Sequence, residues 1–338
     1  MTQVIIPTAG LGSRLGTLTA NINKALIPVG IKPAISYIID WYPSDYKFII
    51  ALGYNGGYIK DFISLVYPKR DFVFVNVDPY EGPGSGLGYT LKCCKSHIKE
   101  DFFFHSNDGI ILDQIDFKNI ITDTIFLSSN KVNSLKYRTV KINKTSVVKL
   151  VDKTTKKIPN LYNYIGVAYI KDFKDFKKFL SKISFSLGES DYFINKIKNK
   201  KKINNFFIDH WYDVGDIDDL KRARKDISDF DNLPKEDEFI YFINNQVIKF
   251  FINPELSKKR VQRAKKLKNF VPKIKRSSKN FYVYDYIEGQ LLSTKIDLYK
   301  SLNEFLKNCN KEFWIKKKLT AKNKEKFHDV CLSFYYHK

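Results

Sequence analysis

Long apolar runs are missing from this chain, because a Lys, Asp or Arg interrupts every candidate. None approaches the roughly 18 apolar residues that a membrane helix needs, so we expect no membrane span. The N-terminus runs from Met1 into an apolar strand without the basic segment and cleavage site of an export signal. The chain has only 4 cysteines, with no CxxC pair and no disulfide-framework spacing. Together these absences predict a protein of the reducing cytoplasm.

Acidic residues are scarce relative to basic ones, with 36 Asp and Glu against 58 Lys and Arg and a net charge of +22. Such an excess can indicate binding to nucleic acid. Here it consists largely of lysine, in runs such as 196–202 that are typical of solvated surfaces. No nucleic-acid recognition motif is visible. We therefore expect no nucleic-acid partner, and a basic nucleic-acid-binding protein stays as an alternative.

The size and composition predict a two-part protein. The chain has 338 residues, of which 43% are hydrophobic and 15% aromatic. It can therefore bury a core and fits about two domains. Between Asp226 and Asp237 the composition becomes acidic and polar. We place a boundary there, which gives predicted domains at residues 1–228 and 238–338. The sequence does not indicate an oligomeric state.

The first part alternates short apolar runs with amphipathic stretches, which predicts parallel strands covered by helices. A region with a mixed pattern, 147–216, contains a strand-like run at 164–169 and is expected to return strands to the same sheet. The predicted fold class is α/β, a Rossmann-like doubly wound and mostly parallel sheet. The expected strands are 4–7, 48–52, 72–77 and 102–105, and the expected helices are 33–41, 59–66 and the stretch from Gly88 to about Ile98.

A glycine-rich loop, Gly10 to Arg14, directly follows the first predicted strand. Glycines allow a backbone to approach phosphate oxygens, and N–H groups at a helix start can hold an anion. The third glycine of a dinucleotide fingerprint is missing, and no Gly-Lys-Ser/Thr of a P-loop follows. Taken alone, the loop is equally typical of a structural turn.

Two further features indicate phosphate chemistry. Lys24 follows Arg14 closely enough for the pair to clamp a triphosphate, although two exposed basic residues would look the same. Asn107 and Asp108 end the fourth predicted strand, where a doubly wound sheet binds its ligands. A carboxylate there can hold Mg²⁺ or can simply terminate a strand. The three features become specific only in combination.

The chain resembles the sugar-phosphate nucleotidyltransferase family in a series of motifs that follow the family's order. They are Gly10-Leu11-Gly12-Ser13-Arg14, Asn23-Lys24-Ala25-Leu26, Lys32-Pro33-Ala34, Gly84-Ser85-Gly86-Leu87-Gly88, Asp108, Asp152-Lys153, Asn163-Tyr164-Ile165-Gly166 and Trp211-Tyr212-Asp213-Val214-Gly215. The resemblance implies that an acceptor phosphate oxygen attacks the α-phosphorus of a nucleoside triphosphate and that pyrophosphate leaves. The implied partners are the nucleotide and a phosphorylated small molecule, and the implied cofactor is Mg²⁺.

The resemblance also implies the roles of individual residues. Arg14, Lys24 and Lys153 would be catalytic, and Asp108 and Asp213 would hold the metal. The implied nucleotide-binding residues are Ala9, Gly10, Leu11, Gly12, Ser13, Asp78, Gly84, Ser85, Gly86 and Asn107. The implied acceptor-binding residues are Gly88, Lys153, Tyr164, Gly166 and Glu189.

One departure bears on the base. Family members that use uracil or thymine often have a Gln before the glycine loop, where this chain has Asp78 and Glu81. Ionised carboxylates only accept hydrogen bonds, which suits cytosine or guanine better than uracil. CTP or GTP is therefore slightly favoured, although both residues can equally be ordinary loop residues. The resemblance further implies a product for capsule or cell-envelope glycan. A non-catalytic nucleotide-binding homologue is the other alternative.

Residues 238–292 resemble the start of small-molecule kinases of the choline-kinase and aminoglycoside-phosphotransferase type. The resemblance rests on Lys249 in an apolar strand, a basic helix after it, and Phe281 to Gly289 as a hinge-like strand. It implies a smaller α+β domain like a kinase N-lobe. No catalytic His-x-Asp with a downstream Asn follows Gly289. We therefore expect the front part of a bifunctional protein, truncated, without kinase activity in this chain.

Overall fold

The structure is a computed structural model that describes residues 2–129, 132–155, 160–227, 237–267, 270–289, 298–312 and 320–336. These residues fall into two compact units, one within Met1–Lys266 and Pro272–Tyr286 and the other within Leu267–Val271 and Ile287–Lys338. Most of the predicted boundary region, residues 228–236, lies outside the described ranges. The division into residues 1–228 and 238–338 therefore stays a prediction.

The larger unit is built on one long sheet with short two-stranded additions. Its first strands are β1 (Gln3–Pro7), β2 (Pro28–Val29), β3 (Lys32–Pro33), β4 (Lys47–Leu52), β5 (Phe72–Asn76), β6 (Phe102–His105), β7 (Gly109–Ile111), β8 (Thr124–Ser128), β9 (Thr139–Asn143), β10 (Ser146–Val151), β11 (Leu161–Ile170), β12 (Asn204–Ile208) and β13 (Trp211–Asp213). The helices among them are α1 (Ala34–Trp41), α2 (Gly56–Val66), α3 (Leu87–Cys94), α4 (Phe173–Lys182), α5 (Glu189–Lys198) and α6 (Ile217–Ile227).

Side chains of the central strands alternate between two apolar layers. In β1, Val4 and Ile6 join the core that contains α1, α2 and α6. Ile5 points the other way, into the core that contains α3, α4 and α5. Because both faces are covered, these strands are continuous apolar runs rather than alternating ones. Such continuous apolar runs are visible in the sequence, and the strands predicted from them were confirmed.

The long sheet has the order β5-β4-β1-β6-β11-β8-β12-β10-β9. Its first four strands are parallel, with β1 between β4 and β6. In such an order the chain reverses direction across the sheet next to β1, and the crevice at the carboxyl ends of β1 and β6 is the expected ligand site. The predicted Gly10–Arg14 loop and the predicted Asn107-Asp108 pair follow these two strands.

The second half of the sheet corrects the prediction of a mostly parallel sheet. Strand β11 runs antiparallel to both β6 and β8, and β10 runs antiparallel to β9 and β12, whereas β12 is parallel to β8. The reason is the connections: β9 and β10 are joined by a tight turn at Lys144, where the backbone is left-handed, and a tight turn can only join antiparallel strands. The fold is therefore a mixed α/β sheet.

A second, four-stranded antiparallel sheet belongs to the larger unit, in the order β14-β15-β17-β16. Its first two strands form a hairpin around Asn244-Asn245, and both asparagines have positive φ, as a tight hairpin turn requires. The elements of this part are β14 (Glu238–Ile243), β15 (Gln246–Phe251), α7 (Pro254–Leu267), β16 (Ile274–Ser277) and β17 (Phe281–Asp285).

The smaller unit contains two helices within the described ranges, α8 (Leu298–Glu312) and α9 (Ala321–Tyr336). Across the part of the chain that the structure describes, no helix combines the length and the apolar composition needed to cross a membrane.

Candidate active site

A buried asparagine fixes the loops at the carboxyl ends of β1 and β4. The Asn23 side-chain amide donates hydrogen bonds to the backbone oxygens of Thr8, at 2.8 Å, and Tyr54, at 2.7 Å. Its oxygen accepts from the Ala25 N–H at 2.9 Å. Buried polar groups must be satisfied in this way, so the position of Asn23 is strongly determined. Lys24 comes next in the chain, and its backbone is therefore held against both loops.

Within the Ala9–Ser13 loop, Gly12 has a φ of 72°. A Cβ at Gly12 would lie 3.1 Å from Cβ of Lys24 and 3.2 Å from Cγ2 of Thr19. A side chain there would push the lysine stem away as well as straining the backbone. The glycine loop therefore packs against the Lys24 turn, while Gly10 and Ser13 are exposed and Ala9 is buried.

Asp108, after β6, pairs with both predicted basic residues. Its Oδ2 lies 2.8 Å from Lys24 Nζ and 3.7 Å from Arg14 Nη2. Burial alone would raise the pKa of Asp108, but Lys24, Arg14 and a hydrogen bond from Ser106 outweigh it and lower the pKa to about 2. Asp108 is therefore ionised throughout the physiological range.

Asp213 is brought beside Asp108 by the small β7–β13 ladder, in which it pairs with Gly109. The Val214 N–H donates to the Asp108 backbone oxygen at 2.9 Å. A Cβ at Gly215 would lie 2.9 Å from Arg14 Nη2, 2.9 Å from Asp213 Oδ1 and 3.1 Å from Asp108 Oδ2. Three predicted site residues thus converge around one glycine, which leaves the space between them open.

The two carboxylates influence each other. Burial raises the pKa of Asp213 most, and the charge of Asp108 raises it further. The Gly215 N–H, which donates to Asp213 Oδ1 at 2.7 Å, and Lys136 oppose this shift. Two hard oxygen donors on adjacent segments are the kind of ligands that Mg²⁺ prefers when phosphate oxygens supply the rest. Among the described residues, no group of three or more His, Cys, Asp or Glu side chains is placed to hold a metal.

Sequence reasoning missed Lys136 and Tyr137, which reach Asp213 from the segment before β9. The Tyr137 hydroxyl donates to Asp213 Oδ2 at 2.9 Å, and Lys136 Nζ lies 3.6 Å from the same oxygen. Lys136 also forms ion pairs with Asp216 and Asp219. None of the family motifs found in the sequence covers this segment. The only local signal is a Lys-Tyr-Arg run before a strand, which periodicity does not distinguish from an ordinary strand entry.

Arg138 is a third residue that was missed. Its Nε lies 2.7 Å from Asp152 Oδ1, and its Nη1 lies 3.2 Å from Asp191 Oδ2 in the first turn of α5. Asp152 of the predicted acceptor motif is thus tied to α5 through an arginine. Lys153, which was predicted to be catalytic, is exposed. The lysine that the fold brings to the carboxylates, besides Lys24, is Lys136.

The second glycine loop packs against the segment before α5. A Cβ at Gly88 would lie 2.5 Å from the Ser184 oxygen and 2.6 Å from the Leu187 oxygen. Gly86 has a φ of 143°, and a Cβ there would overlap the Phe185 carbonyl oxygen. These glycines therefore permit close backbone packing. Ser85 is half-buried and Asp78 is exposed, and the Asp78 backbone oxygen accepts from the Tyr89 hydroxyl at 2.6 Å.

We expect Gly86→Ala to destabilise the protein more than Gly84→Ala. Both positions have positive φ, which costs an alanine about 1–2 kcal/mol. Only Gly86 has a neighbour in the way, since nothing lies within 4 Å of a Cβ at Gly84. Overpacking adds about 1–3 kcal/mol. Urea unfolding of the two variants measures the difference, and equal losses would contradict the packing role of Gly86.

On the acceptor side, Tyr164 and Glu189 form a buried pair. The tyrosine hydroxyl donates to Glu189 Oε1 at 2.9 Å, while Glu189 Oε2 has no partner among the described residues. Asn107 is also buried, and neither polar atom of its amide has a partner within the described part of the chain. Gly166 has positive φ, and a Cβ there would lie 2.5 Å from Ser106 Oγ. Unpartnered buried polar atoms are rare and are typical of positions that a ligand satisfies.

Because of Glu189, we expect the free energy of unfolding to fall as pH rises. Burial raises its pKa from 4.5 to about 7, so folding favours the protonated form. This contribution is fully present below about pH 4.5 and is lost as pH rises through about 7, a loss of about 3 kcal/mol. In Glu189→Gln this pH dependence should disappear. Melting temperatures at acid and neutral pH test it, with the exposed Glu255→Gln as control. Parallel curves for Glu189→Gln and the wild type would contradict the prediction.

No protein-family model matches the chain. The Bifunctional protein GlmU of Methanococcus aeolicus is 29% identical over 166 residues, which are 48% of this chain and 38% of that protein. The chain thus matches well under half of the length of this relative. A D-glycero-alpha-D-manno-heptose 1-phosphate guanylyltransferase of Campylobacter jejuni is 24% identical over 217 residues, 63% of this chain and 94% of that protein.

Solved structures share the fold of about two thirds of the chain. A UDP-glucose pyrophosphorylase complexed with UDP-glucose superposes with a TM-score of 0.58 at 17% identity, over 67% of this chain and 98% of that one. A CTP:phosphocholine cytidylyltransferase of Streptococcus pneumoniae superposes with a TM-score of 0.55 at 20% identity, over 67% of this chain and 99% of that one. The chain therefore has a nucleotidyltransferase-like mixed α/β fold. The predicted resemblance and enzyme class agree with these homologues, which are nucleotidyltransferases.

Proposed function

We propose that residues 1–228 form a Mg²⁺-dependent nucleotidyltransferase that joins a nucleoside triphosphate to a phosphorylated sugar or alcohol and releases pyrophosphate. One observation carries the proposal: Arg14, Asp108 and Asp213 converge around Gly215 at the switch point of the sheet, with Lys24 Nζ 2.8 Å from Asp108. Opposite charges gathered in a crevice at the carboxyl ends of parallel strands suit a polyanionic nucleotide and its cation.

In the proposed reaction, an oxygen of the acceptor phosphate forms a bond to the α-phosphorus while the bond between the α- and β-phosphates breaks. The electron pair leaves with pyrophosphate. Little covalent protein chemistry is needed, so the residues act by positioning and charge neutralisation. Arg14 and Lys24 would hold the triphosphate and stabilise the negative charge that grows on the leaving group.

The residues present fit a magnesium ion. Asp108 and Asp213 supply oxygen donors, and the pKa of Asp213, raised by burial and then by the charge of Asp108, supports repulsion between the two carboxylates. A divalent cation held by both would remove this repulsion. When bound, it neutralises and orients phosphate oxygens. Tyr137 and the Gly215 N–H would keep Asp213 in place through their hydrogen bonds.

The acceptor would bind beside the buried pair of Tyr164 and Glu189. The unpartnered Oε2 of Glu189 supports hydrogen bonding to the acceptor, and the unpartnered amide of Asn107 supports its predicted role in binding the nucleotide. We include Gly88, Lys153, Tyr164 and Gly166 in the acceptor set on the family resemblance. The same resemblance supports a product used for capsule or cell-envelope glycan, made in the cytoplasm.

For the base, we propose CTP or GTP. The support is chemical, since the exposed carboxylates of Asp78 and Glu81 only accept hydrogen bonds. Both guanylyl and cytidylyl transferases occur among the similar proteins. Either Asp78→Asn or Glu81→Gln should then weaken the binding of the preferred nucleotide more than the binding of UTP.

The test is pyrophosphate release with Mg²⁺ from CTP, GTP, UTP, dTTP and ATP against pooled sugar and alcohol phosphates. Release with one nucleotide supports the proposal and identifies the base. If no nucleotide gives release and none raises the melting temperature with Mg²⁺, the proposal is wrong. A nucleotide that raises the melting temperature without turnover favours the non-catalytic homologue. Steeply salt-dependent nucleic-acid binding favours the other alternative.

We further propose that residues 238–338 begin a kinase-like domain. The support is the antiparallel order β14-β15-β17-β16 with Lys249 on β15 opposite Tyr282 of β17, and α7 directly after β15. A catalytic Asp and Asn set is not visible in the sequence after Gly289. No kinase activity is therefore expected, and ADP formation with an amino alcohol or sugar would contradict this.

A further inference from the structure

The sheet of residues 238–285, which we call the C-terminal sheet, touches the turn that carries Lys24. The Tyr241 hydroxyl donates to the Leu26 backbone oxygen at 2.7 Å, and Tyr241 is 0% exposed. The next residue, Phe242, donates its N–H to the backbone oxygen of Ile31, also at 2.7 Å. Edge strand β14 therefore holds both ends of the segment that follows Lys24.

Aromatic packing fixes the C-terminal sheet against α2. The Phe62 ring lies 5.5 Å from Tyr241 and 6.0 Å from Phe281, and the Tyr58 ring lies 5.0 Å from Phe250. Such pairs are worth about 0.5–1.5 kcal/mol each beyond the area they bury. The same apolar core continues from α2 into β14, β15 and β17. The contact between α2 and the C-terminal sheet is thus apolar core packing within one compact unit.

The Lys24 turn is short and depends on contacts with neighbouring segments. Lys24–Leu26 is a single short 3-10 turn, closed by the hydrogen bonds from the Leu26 N–H to Asn23 and from the Ile27 N–H to Lys24. A short turn leaves its last carbonyl groups without partners inside the helix. Asn23 supports the beginning of the turn, and Tyr241 supports its end through the Leu26 carbonyl. The lysine between them reaches Asp108.

We propose that the C-terminal sheet is a working part of the transferase and that Tyr241 is a positioning residue for Lys24. The inference rests on the proposed function. The tyrosine touches no reacting atom, since it acts through the backbone of the turn. Small displacements matter at such a site, because a shift of about 1 Å can cost about a hundredfold in rate. The kinase-like sheet would then serve the transferase even without a kinase reaction of its own.

The test is a double-mutant cycle on pyrophosphate release. We expect Tyr241→Phe to lower kcat about tenfold or more in the otherwise wild-type chain. In the Lys24→Met background Tyr241→Phe should not lower kcat further, because the lysine that Tyr241 positions is already absent. The nucleotide-induced rise in melting temperature should follow the same pattern, and it serves as the readout if Lys24→Met is too slow to assay.

The matched control is Tyr37→Phe. Tyr37 is buried and also donates to a backbone oxygen at 2.7 Å, that of Val29. It should lose comparable stability with little effect on kcat. If Tyr241→Phe does not fold, Phe62→Leu replaces it, since it loosens the same interface from α2. An equal cost of Tyr241→Phe in both backgrounds, or no cost, overturns this inference alone. Wild-type protein that neither releases pyrophosphate nor responds to nucleotide overturns the proposed function and this inference together.

Discussion

Asp108→Asn is expected to reduce pyrophosphate release by about a thousandfold or more. Removing one preorganised electrostatic group costs about 100- to 1000-fold, and a metal ligand contributes several kcal/mol in addition. The substitution leaves the shape of the side chain almost unchanged, so the loss would report charge rather than packing. The measurement is steady-state release at saturating nucleotide over a range of Mg²⁺ concentrations.

The matched control is Asp71→Asn, which removes a carboxylate that is 53% exposed and paired with Lys47 on the surface. Surface pairs contribute little, about 0–1 kcal/mol, so activity should stay close to wild type. Asp213→Asn should resemble Asp108→Asn in its effect on activity. If extra Mg²⁺ does not matter and both active-site variants keep full activity, the two carboxylates are not the metal site.

Lys24→Met is expected to lower kcat/KM about 100-fold or more, since it removes one of the two cations assigned to the triphosphate. It also removes the closest positive charge to Asp108, at 2.8 Å. Burial would then raise the pKa of Asp108 from about 2, opposed only by Arg14 and Ser106 among the groups named for it. The acid limb of the pH–rate profile should therefore move to higher pH in the variant. A stopped-time assay between about pH 4 and pH 8 measures both effects.

Lys32→Met is the control for Lys24→Met. Lys32 forms an ion pair with Asp40 at 2.7 Å and lies close to the Lys24 turn in the chain, so it matches the loss of one nearby lysine charge. We expect its rate and pH profile to stay near wild type. An equal loss in both variants would mean that general positive charge, rather than the placement of Lys24, supports catalysis.

Different segments of the chain hold the two carboxylates of the site. Asp108 is held by residues from the loop after β1, whereas Asp213 is held by Lys136 and Tyr137 from the segment before β9. Each carboxylate therefore has its own cation: Asp108, after β6, has Lys24, and Asp213, on the small β7–β13 ladder, has Lys136. The proposed site therefore lies beside β6, where the parallel strands meet the antiparallel strand β11.

The C-terminal sheet changes how the second part of the chain is understood. The sequence treats it as a separate domain because its composition changes after Asp226. In the fold, its aromatic face packs on α2 within the same compact unit, and Tyr241 reaches the Lys24 turn. A composition change marks a change in surface and linker residues. It does not reveal which apolar faces pack together afterwards.

The sequence by itself determined the parallel half of the fold and the order of the site segments. Strands buried on both faces are continuous apolar runs, as in Val4-Ile5-Ile6, and they are readable locally. Glycines that need positive φ or close packing, such as Gly12 and Gly86, also leave a local trace. Asp108 could be proposed as a site residue because the carboxyl end of a strand in such a sheet is a ligand position.

Only the tertiary structure decided which distant groups meet. The antiparallel course of β11, the β7–β13 ladder that brings Asp213 to Gly109, and the approach of Lys136 to Asp213 depend on pairing between segments far apart in the chain. Local periodicity carries no information about such partners, because a strand has the same alternation in either direction. The contact between Tyr241 and the Lys24 turn is of the same kind. This contact exists because the aromatic face of the C-terminal sheet is buried against α2, and that packing is visible only in the folded chain.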